Sequence, residues 1–340
     1  MKPEDVWLLL DSRDLGGIET HVLQLAAGLE RAGRAPRVLF WADYGDHPLR
    51  AALDQAGIAH ETLSGGFRGL IRALGRRRPA VLHSHGYKAG ILGRLAARLT
   101  GRPVVSTFHA GEPGTGRLRL YGVLDRLTAR LGRRIAVSAA IARTLPGPVA
   151  LIANFVEVPP DAAAPAGLRD RIGFVGRLSF EKGPDLFCAL AAKLPGARLT
   201  LYGDGPMRAE LEARHGAAVE FRGRVVPMAP HWSDIGLLVM SSRHEGLPLA
   251  ALEAMAHGVP VAAFAVGGLP DLIEPGGNGY LAPAGDLDAL AASIAAWMAL
   301  PAEDRAGLAR RARSTVEERF SVTRGVDAVL AEYRAAGAAI

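Results

Sequence analysis

The stretch Glu245-Gly246-Leu247-Pro248-Leu249-Ala250-Ala251-Leu252-Glu253 places two carboxylates eight positions apart, with a Gly-Leu-Pro turn after the first and an apolar helical run carrying the second. Such a turn, opening a helix, leaves backbone N–H groups unpaired at the positive end of the helix dipole, a ready site for a phosphate or a sugar hydroxyl. Glu245 sits at the mouth of that site. Glu253, a little over two helical turns on, lies deeper on roughly the same face and can accept hydrogen bonds from a second hydroxyl-bearing group. The spacing suits a long, hydroxyl-rich ligand that carries phosphate. Taken alone, it equally suits a helix-start Glu followed by a solvated one.

Upstream, Arg171 to Asp185 reads RIGFVGRLSFEKGPD, an apolar strand running into a glycine turn with Arg177 and Lys182 five apart. Two cations at a strand end, just before a helix opened by Pro184, are placed to hold a pyrophosphate. Leu199-Thr200-Leu201-Tyr202-Gly203-Asp204-Gly205-Pro206 is another strand that ends in a glycine turn, and Gly258-Val259-Pro260-Val261 leads through a strand to Ala265-Val266-Gly267-Gly268-Leu269-Pro270-Asp271. In this order and spacing the segments resemble the nucleotide-sugar domain of GT-B glycosyltransferases, specifically the large retaining family 4, the group 1 glycosyl transferases.

The resemblance extends through the first half. Val6 to Leu10 is an apolar strand followed by Gly16-Gly17-Ile18-Glu19 and a helix with Val22, Leu25, Ala26 and Leu29 on one face. The family has its glycine-rich loop here, although Gly-Gly before a helix is also an ordinary turn. Val81-Leu82-His83-Ser84-His85-Gly86 and Val104-Val105-Ser106-Thr107-Phe108-His109 are strands whose C-terminal ends carry histidines, at the edge where open α/β sheets bind ligands. The Thr-Phe-His ending matches the family's active-site histidine, His109; His85 lines the same edge or serves as a structural hydrogen-bonder. Ser138, after Ala136-Val137, ends a further strand and either faces an acceptor or caps the next helix.

The resemblance implies an α/β protein of GT-B architecture, two Rossmann-like doubly wound parallel sheets facing across a cleft. It places an acceptor-side domain at 1–158, a linker at 159–167 and a nucleotide-sugar domain at 168–321, with a C-terminal helix in 322–340 crossing back to the first domain. The implied activity is retaining transfer of a sugar from a UDP-sugar, or a GDP-sugar as the second choice, to an acceptor hydroxyl. By resemblance Glu245 holds donor-sugar hydroxyls, Glu253 the ribose, and His109 the reacting sugar or its phosphate. Breaking the anomeric bond builds negative charge on the departing phosphate, which Arg177 and Lys182 would stabilise, aided by backbone N–H groups near Gly246, Leu247 and Leu249, in the turn that Pro248 shapes, and by Gly16 and Gly17. Gly203, Asp204 and Arg224 either border the base or form plain strand-end turns.

No metal, and no cofactor beyond the nucleotide diphosphate sugar, is expected. The one Asp-x-Asp triplet, Asp286-Leu287-Asp288, follows Gly285 and opens an alanine-rich helix, so it reads as an N-cap. The single cysteine, Cys188, excludes an intrachain disulfide and lies among Leu186, Phe187 and Leu190 as a small core residue. Apolar runs are too short to span a bilayer and no leader pattern opens the chain, so a cytoplasmic protein, at most at the inner membrane face, is expected.

Charge is uneven: residues 1–150 hold 22 Lys and Arg against 12 Asp and Glu, a formal +10 that outweighs the −4 of the remainder. Arg119, Arg126, Arg130 and Arg133 form a helical face opposite Leu120, Leu124, Leu127 and Leu131, either a rest for anionic lipid or a solvated surface. With aromatics at 6% and no recognisable binding module, nucleic acid is excluded as a partner. The favoured acceptor is a glycan or lipid-linked glycan of envelope, capsule or exopolysaccharide assembly. Three other readings compete: a nucleotide-sugar 2-epimerase, a non-catalytic sugar-nucleotide-binding subunit, and a nicotinamide oxidoreductase, which would need a Gly-x-Gly-x-x-Gly that Gly16-Gly17-Ile18-Glu19 does not supply.

Overall fold

The computed structural model describes residues 5–14, 16–109, 117–160 and 170–340. Most of the expected linker 159–167 and the loop Gly111 to Gly116 lie outside them. The chain divides into two compact units, Met1–Phe155 with Val322–Ile340, and Val156–Ser321.

In the first unit strands and helices alternate: β1 (Asp5–Leu10), α1 (Gly17–Arg31), β2 (Ala35–Phe40), α2 (Pro48–Gln55), β3 (Ala59–Thr62), α3 (Gly66–Arg77), β4 (Val81–His85), α4 (Tyr87–Thr100), β5 (Val104–Phe108), α5 (Arg117–Thr128), β6 (Arg133–Ala136), α6 (Ala139–Ala142) and β7 (Ala150–Leu151). All strand pairs are parallel, in the order β3-β2-β1-β4-β5-β6-β7. Residues Val6 to Leu10 are all buried, as a parallel sheet covered on both faces requires.

The second unit repeats the plan with β8 (Arg171–Val175), α7 (Pro184–Ala189), β9 (Arg198–Tyr202), α8 (Arg208–His215), β10 (Val219–Gly223), β11 (Leu237–Met240), α9 (Leu249–Ala256), β12 (Val261–Phe264), α10 (Leu269–Leu272), β13 (Gly279–Ala282), α11 (Leu287–Ala299) and α12 (Ala302–Arg319). Its six strands are again parallel, ordered β10-β9-β8-β11-β12-β13. Both sheets therefore reverse direction next to their first strand, between β1 and β4 and between β8 and β11. Loops at the C-terminal ends of such neighbouring strands diverge to opposite faces and leave a crevice. Cys188 is wholly buried in this unit's core, where desolvation pushes its thiol up to about 12. Asp286 accepts a hydrogen bond from the Ala289 amide and caps α11, and Asp288 pairs with Lys193.

The last helix, α13 (Val322–Ala335), belongs to the first unit and packs on α1. Small residues permit the close approach: a Cβ on Gly28 would come within 2.5 Å of Val322 and Val326, and one on Gly325 within 1.9 Å of the buried Phe155 ring. Tyr333 closes the seam with its hydroxyl 2.8 Å from His83 Nδ1.

The sequence pattern of α5 turns its leucines inward, and the structure does not. Leu120, Leu124 and Leu127 are 61%, 37% and 68% exposed, while Asp125 on the other side is buried. The reason is Arg94, fully buried on α4, whose guanidinium donates to the Asp125 carboxylate and backbone oxygen, to Ser106 Oγ and to Thr128 Oγ1. A buried guanidinium must be paired, so this bond set selects the face of α5 that meets the sheet.

Because the α1–α13 seam has no spare volume, Gly325→Ala is expected to lower unfolding free energy by roughly 1–3 kcal/mol. Denaturant unfolding checks this; unchanged stability would show that the Phe155 ring is free to retreat.

Candidate active site

At the switch point of the second sheet, the loops after β8 and β11 are stitched together. Lys182 ends a 3-10 turn, Phe180–Lys182, and its Nζ lies 2.9 and 2.8 Å from the two carboxylate oxygens of Glu245. Ser242 Oγ donates to the same Glu245 at 2.7 Å. The Glu245 side chain is almost fully enclosed, at 4% exposure, while Lys182 remains a third exposed. Directly after Lys182, Gly183 has φ +66, and a Cβ there would meet the Ser241 carbonyl oxygen at 2.1 Å. Only glycine satisfies both demands. Ser241 Oγ then donates to the Gly183 carbonyl at 2.8 Å, fixing the turn that presents Lys182.

A second clamp lies behind the first. Arg243 forms a two-toothed pair with Asp185 at 2.9 and 2.6 Å, donates to the Phe180 carbonyl and stacks on the Phe180 ring. The hydrogen bonds and charge of Arg243 hold the Asp185 carboxyl below its usual range. Sequence reasoning had not singled out Ser241, Ser242, Arg243 or Asp185. The signal available was Ser-Ser-Arg immediately before His244-Glu245, at the end of a wholly buried strand.

The remaining residues expected here fall into three groups. Arg177 is exposed after β8; its carbonyl accepts from the Ser179 amide and its charge helps to lower the Glu181 pKa, while its guanidinium makes no hydrogen bond or ion pair among the described residues. Gly203 and Asp204 support that loop: a Cβ on Gly203 would lie 1.8 Å from the Gly176 carbonyl oxygen, and the Asp204 carbonyl accepts from the Leu178 amide. The Asp204 carboxylate is engaged by the Gly205 amide and by Arg208. Arg224 follows β10 at the sheet edge, separated from β8 by β9, hence about 10 Å along the sheet. Gly246, Leu247, Pro248 and Leu249 form the entry to α9, whose N-terminus has no side-chain cap. The side chains of Leu247 and Leu249 are buried, so what this segment offers a ligand is backbone. Gly267 abuts it, since a Cβ there would meet the Glu245 carbonyl oxygen at 2.1 Å.

Glu253, on α9, has no hydrogen bond to its carboxylate among the described residues, and burial raises its pKa from 4.5 to about 7. A desolvated carboxylate without donors is costly, and hydroxyl groups of a ligand would remove that cost.

The first unit carries its own cluster. His109 follows β5, and its Nε2 lies 3.2 Å from Nδ1 of His85 at the end of β4. His85 is buried, so it steadies His109 more than it lines a surface. His83, two residues earlier on the same strand face, bonds Tyr333 Oη at 2.8 Å and Thr107 Oγ1 at 2.7 Å. From α1, buried His21 sets its ring edge-on to His109, centroids 4.8 Å apart. Desolvation, then mutual repulsion among the rings, lowers the pKa of His83, His85 and His109 well below the ordinary value, and burial brings His21 to about 4. At neutral pH these are uncharged imidazoles, able to donate or accept a hydrogen bond but not to supply charge. His21, His85 and His109 bring ligand atoms within 4.8 Å of one another, the grouping among the described residues that could close on a metal ion. Sequence reasoning passed over His21 and His83, although histidines two apart on a strand share a face.

At the start of α1, the Gly16 amide donates to Glu19 at 2.8 Å, while nothing lies within 4 Å of where a Gly17 Cβ would be. Ser138 is buried and accepts from the Ile141 amide, so the structure gives it the capping role.

Comparison with known proteins follows this geometry. A family model described as Glycosyl transferases group 1 matches residues 169–299, and one described as Glycosyltransferase Family 4 matches residues 15–158. The chain belongs to the group 1 glycosyltransferases of GT-B fold, and it is a glycosyltransferase. It is 29% identical to a D-inositol 3-phosphate glycosyltransferase of Mycolicibacterium paratuberculosis over 95% of this chain and 86% of that one. It is 34% identical to a 2-deoxystreptamine N-acetyl-D-glucosaminyltransferase of Streptomyces fradiae over 63% and 61%. The fold matches Anabaena Alr3699/HepE, solved with UDP-glucose, at TM-score 0.82 and 22% identity, covering 98% of this chain and all of that one.

The raised pKa of Glu253 has a defined consequence for stability. The group binds its proton more tightly in the folded than in the unfolded chain, so its destabilisation is absent below about pH 4.5 and complete above about pH 7. Relative to wild type, Glu253→Gln should therefore be more favourable at pH 8 than at pH 4.5 by roughly 1–3 kcal/mol, read from unfolding curves at both pH values. An equal difference at both would contradict the assignment.

Proposed function

We propose that the second unit binds a nucleotide diphosphate sugar and that the enzyme transfers its sugar, with retained anomeric configuration, to an acceptor hydroxyl. The observation that carries this reading is the Lys182–Glu245 pair at the β8/β11 switch point, beside the uncapped start of α9 and above the unpartnered Glu253. The diphosphate takes Lys182 and Arg177, the sugar hydroxyls take Glu245 as Lys182 turns to phosphate, and the ribose hydroxyls take Glu253. Lys182 and the α9 amides face charge that grows on the leaving phosphate, so they act most strongly in the transition state. UDP is the favoured nucleotide, since Alr3699/HepE has been solved with UDP and with UDP-glucose.

Retention follows from a front-face reaction in which the departing phosphate accepts the acceptor proton. When Lys182 turns to phosphate, Ser242 Oγ still donates to Glu245 Oε1 and the sugar hydroxyls take up the freed lone pairs, a role in holding hydroxyls and not in nucleophilic attack. His109 supplies a neutral hydrogen bond toward the reacting sugar, steadied by His85. Cations of the chain do the work for which other transferases use a metal, so no metal or further cofactor enters the reaction.

The acceptor is an anionic or lipid-linked glycan of envelope or exopolysaccharide assembly, in keeping with the +10 charge of residues 1–150. A phosphorylated cyclitol is the second acceptor to try, because several relatives are named D-inositol 3-phosphate glycosyltransferases.

Calorimetric titration with UDP, GDP and their sugars in EDTA tests the reading. UDP is expected to bind, with affinity about 10- to 100-fold weaker in Lys182→Ala and in Glu253→Ala. Binding by no nucleotide, or only with added metal, would contradict it.

A further inference from the structure

The α5 segment presents an apolar ridge that nothing in the donor chemistry uses. Leu120, Val123, Leu124 and Leu127 recur at helical spacing on one face and are 61%, 48%, 37% and 68% exposed. Leu99, near the end of the α4 helix on which α5 packs, is also 68% exposed. Exposed apolar residues scattered singly are ordinary, but four on one short helix face mark a docking surface.

The charges around the ridge define what docks. Arg119, Arg126 and Arg130 are all exposed and flank the leucines on one side, and Tyr121 flanks them on the other. Asp125 is the only acid between Arg117 and Leu131, and it is buried against Arg94. The exposed face thus carries cations and hydrocarbon with no compensating carboxylate. Arg130 adds to this field, whereas Arg133 is paired with Glu332 on α13; burial first, then Arg133 and Arg130, lower the Arg134 pKa from its ordinary value. A second copy of the chain would oppose arginine to arginine across such a face. An anionic bilayer meets both demands, because leucines enter the acyl boundary while guanidinium groups stay among the phosphates. No described helix is long and apolar enough to cross a membrane, which leaves a helix lying in the interface.

We propose that α5 is a membrane-docking helix, which inserts Leu120, Val123, Leu124 and Leu127 into a bilayer rich in anionic lipid. Docking there sets the first unit at the surface where a lipid-linked acceptor is held. It deepens the proposed acceptor class, yet does not depend on the donor site.

Flotation of the full-length protein with phosphatidylcholine vesicles, pure or containing 30% phosphatidylglycerol (about one lipid in three), tests it. Wild type should float strongly with the anionic vesicles and only weakly with pure phosphatidylcholine. Leu120→Gln/Leu124→Gln/Leu127→Gln should lower partitioning at least about tenfold, and Arg126→Ala about fivefold. Added salt should weaken wild-type binding without abolishing it, because the leucines contribute a term that salt does not screen. UDP titration of the triple variant shows that its fold is intact and separates failure here from failure of the donor reading. Equal flotation of wild type and the triple variant, or no flotation of wild type, would overturn the proposal. A wild-type dimer in sedimentation velocity that the triple variant converts to monomer would overturn it as well, assigning the ridge to a second copy.

Discussion

An ion pair between two loops of one sheet, Lys182 to Glu245, is the contact on which the proposed donor site depends. Its residues are 63 positions apart in sequence and meet because β8 and β11 are neighbours in the β10-β9-β8-β11-β12-β13 order. The topology makes the meeting possible, and Gly183, Ser241 and Ser242 give it geometry. An enclosed carboxylate without Lys182 would carry a desolvation cost of several kcal/mol, which the pair offsets. Since Lys182 is a third exposed, it is the partner free to turn toward an incoming phosphate.

The two units assign different electrostatic roles to equivalent sheet edges. In the second, fixed charges and helix amides gather at the β8/β11 switch point, as the proposed diphosphate site requires. In the first, four histidines crowd so closely that desolvation and repulsion keep them neutral at neutral pH. Neutral rings can exchange hydrogen bonds with hydroxyls but carry no charge. Their position is maintained from outside the sheet by Tyr333 on α13, which ties the last helix of the chain to the His83–His85–His109 edge.

Much of this was legible in the sequence where function depends on local order. Apolar strands ending in glycine turns marked the sheet edges, and the Gly-Leu-Pro entry to α9 could be read from Glu245 to Glu253. Partners brought together by topology could not be read: Arg243 and Asp185 lie 58 positions apart, and His83 and Tyr333 lie 250 apart. The α5 helix shows a sharper limit. Periodicity reveals that it has a leucine face and an arginine face, but the inward side is chosen by Asp125, through a buried bond to Arg94 on another helix. A hydrophobic pattern gives the angle between faces and not the direction of the core.

The most direct measurement is a crystal structure with UDP bound. The diphosphate should lie within hydrogen-bonding distance of Lys182 Nζ and the α9 entry, with both ribose hydroxyls on Glu253 and the Lys182–Glu245 distance lengthened from 2.8 Å. Nucleotide bound elsewhere, with that pair closed and Glu253 untouched, would contradict the central claim that the β8/β11 switch point is the donor site.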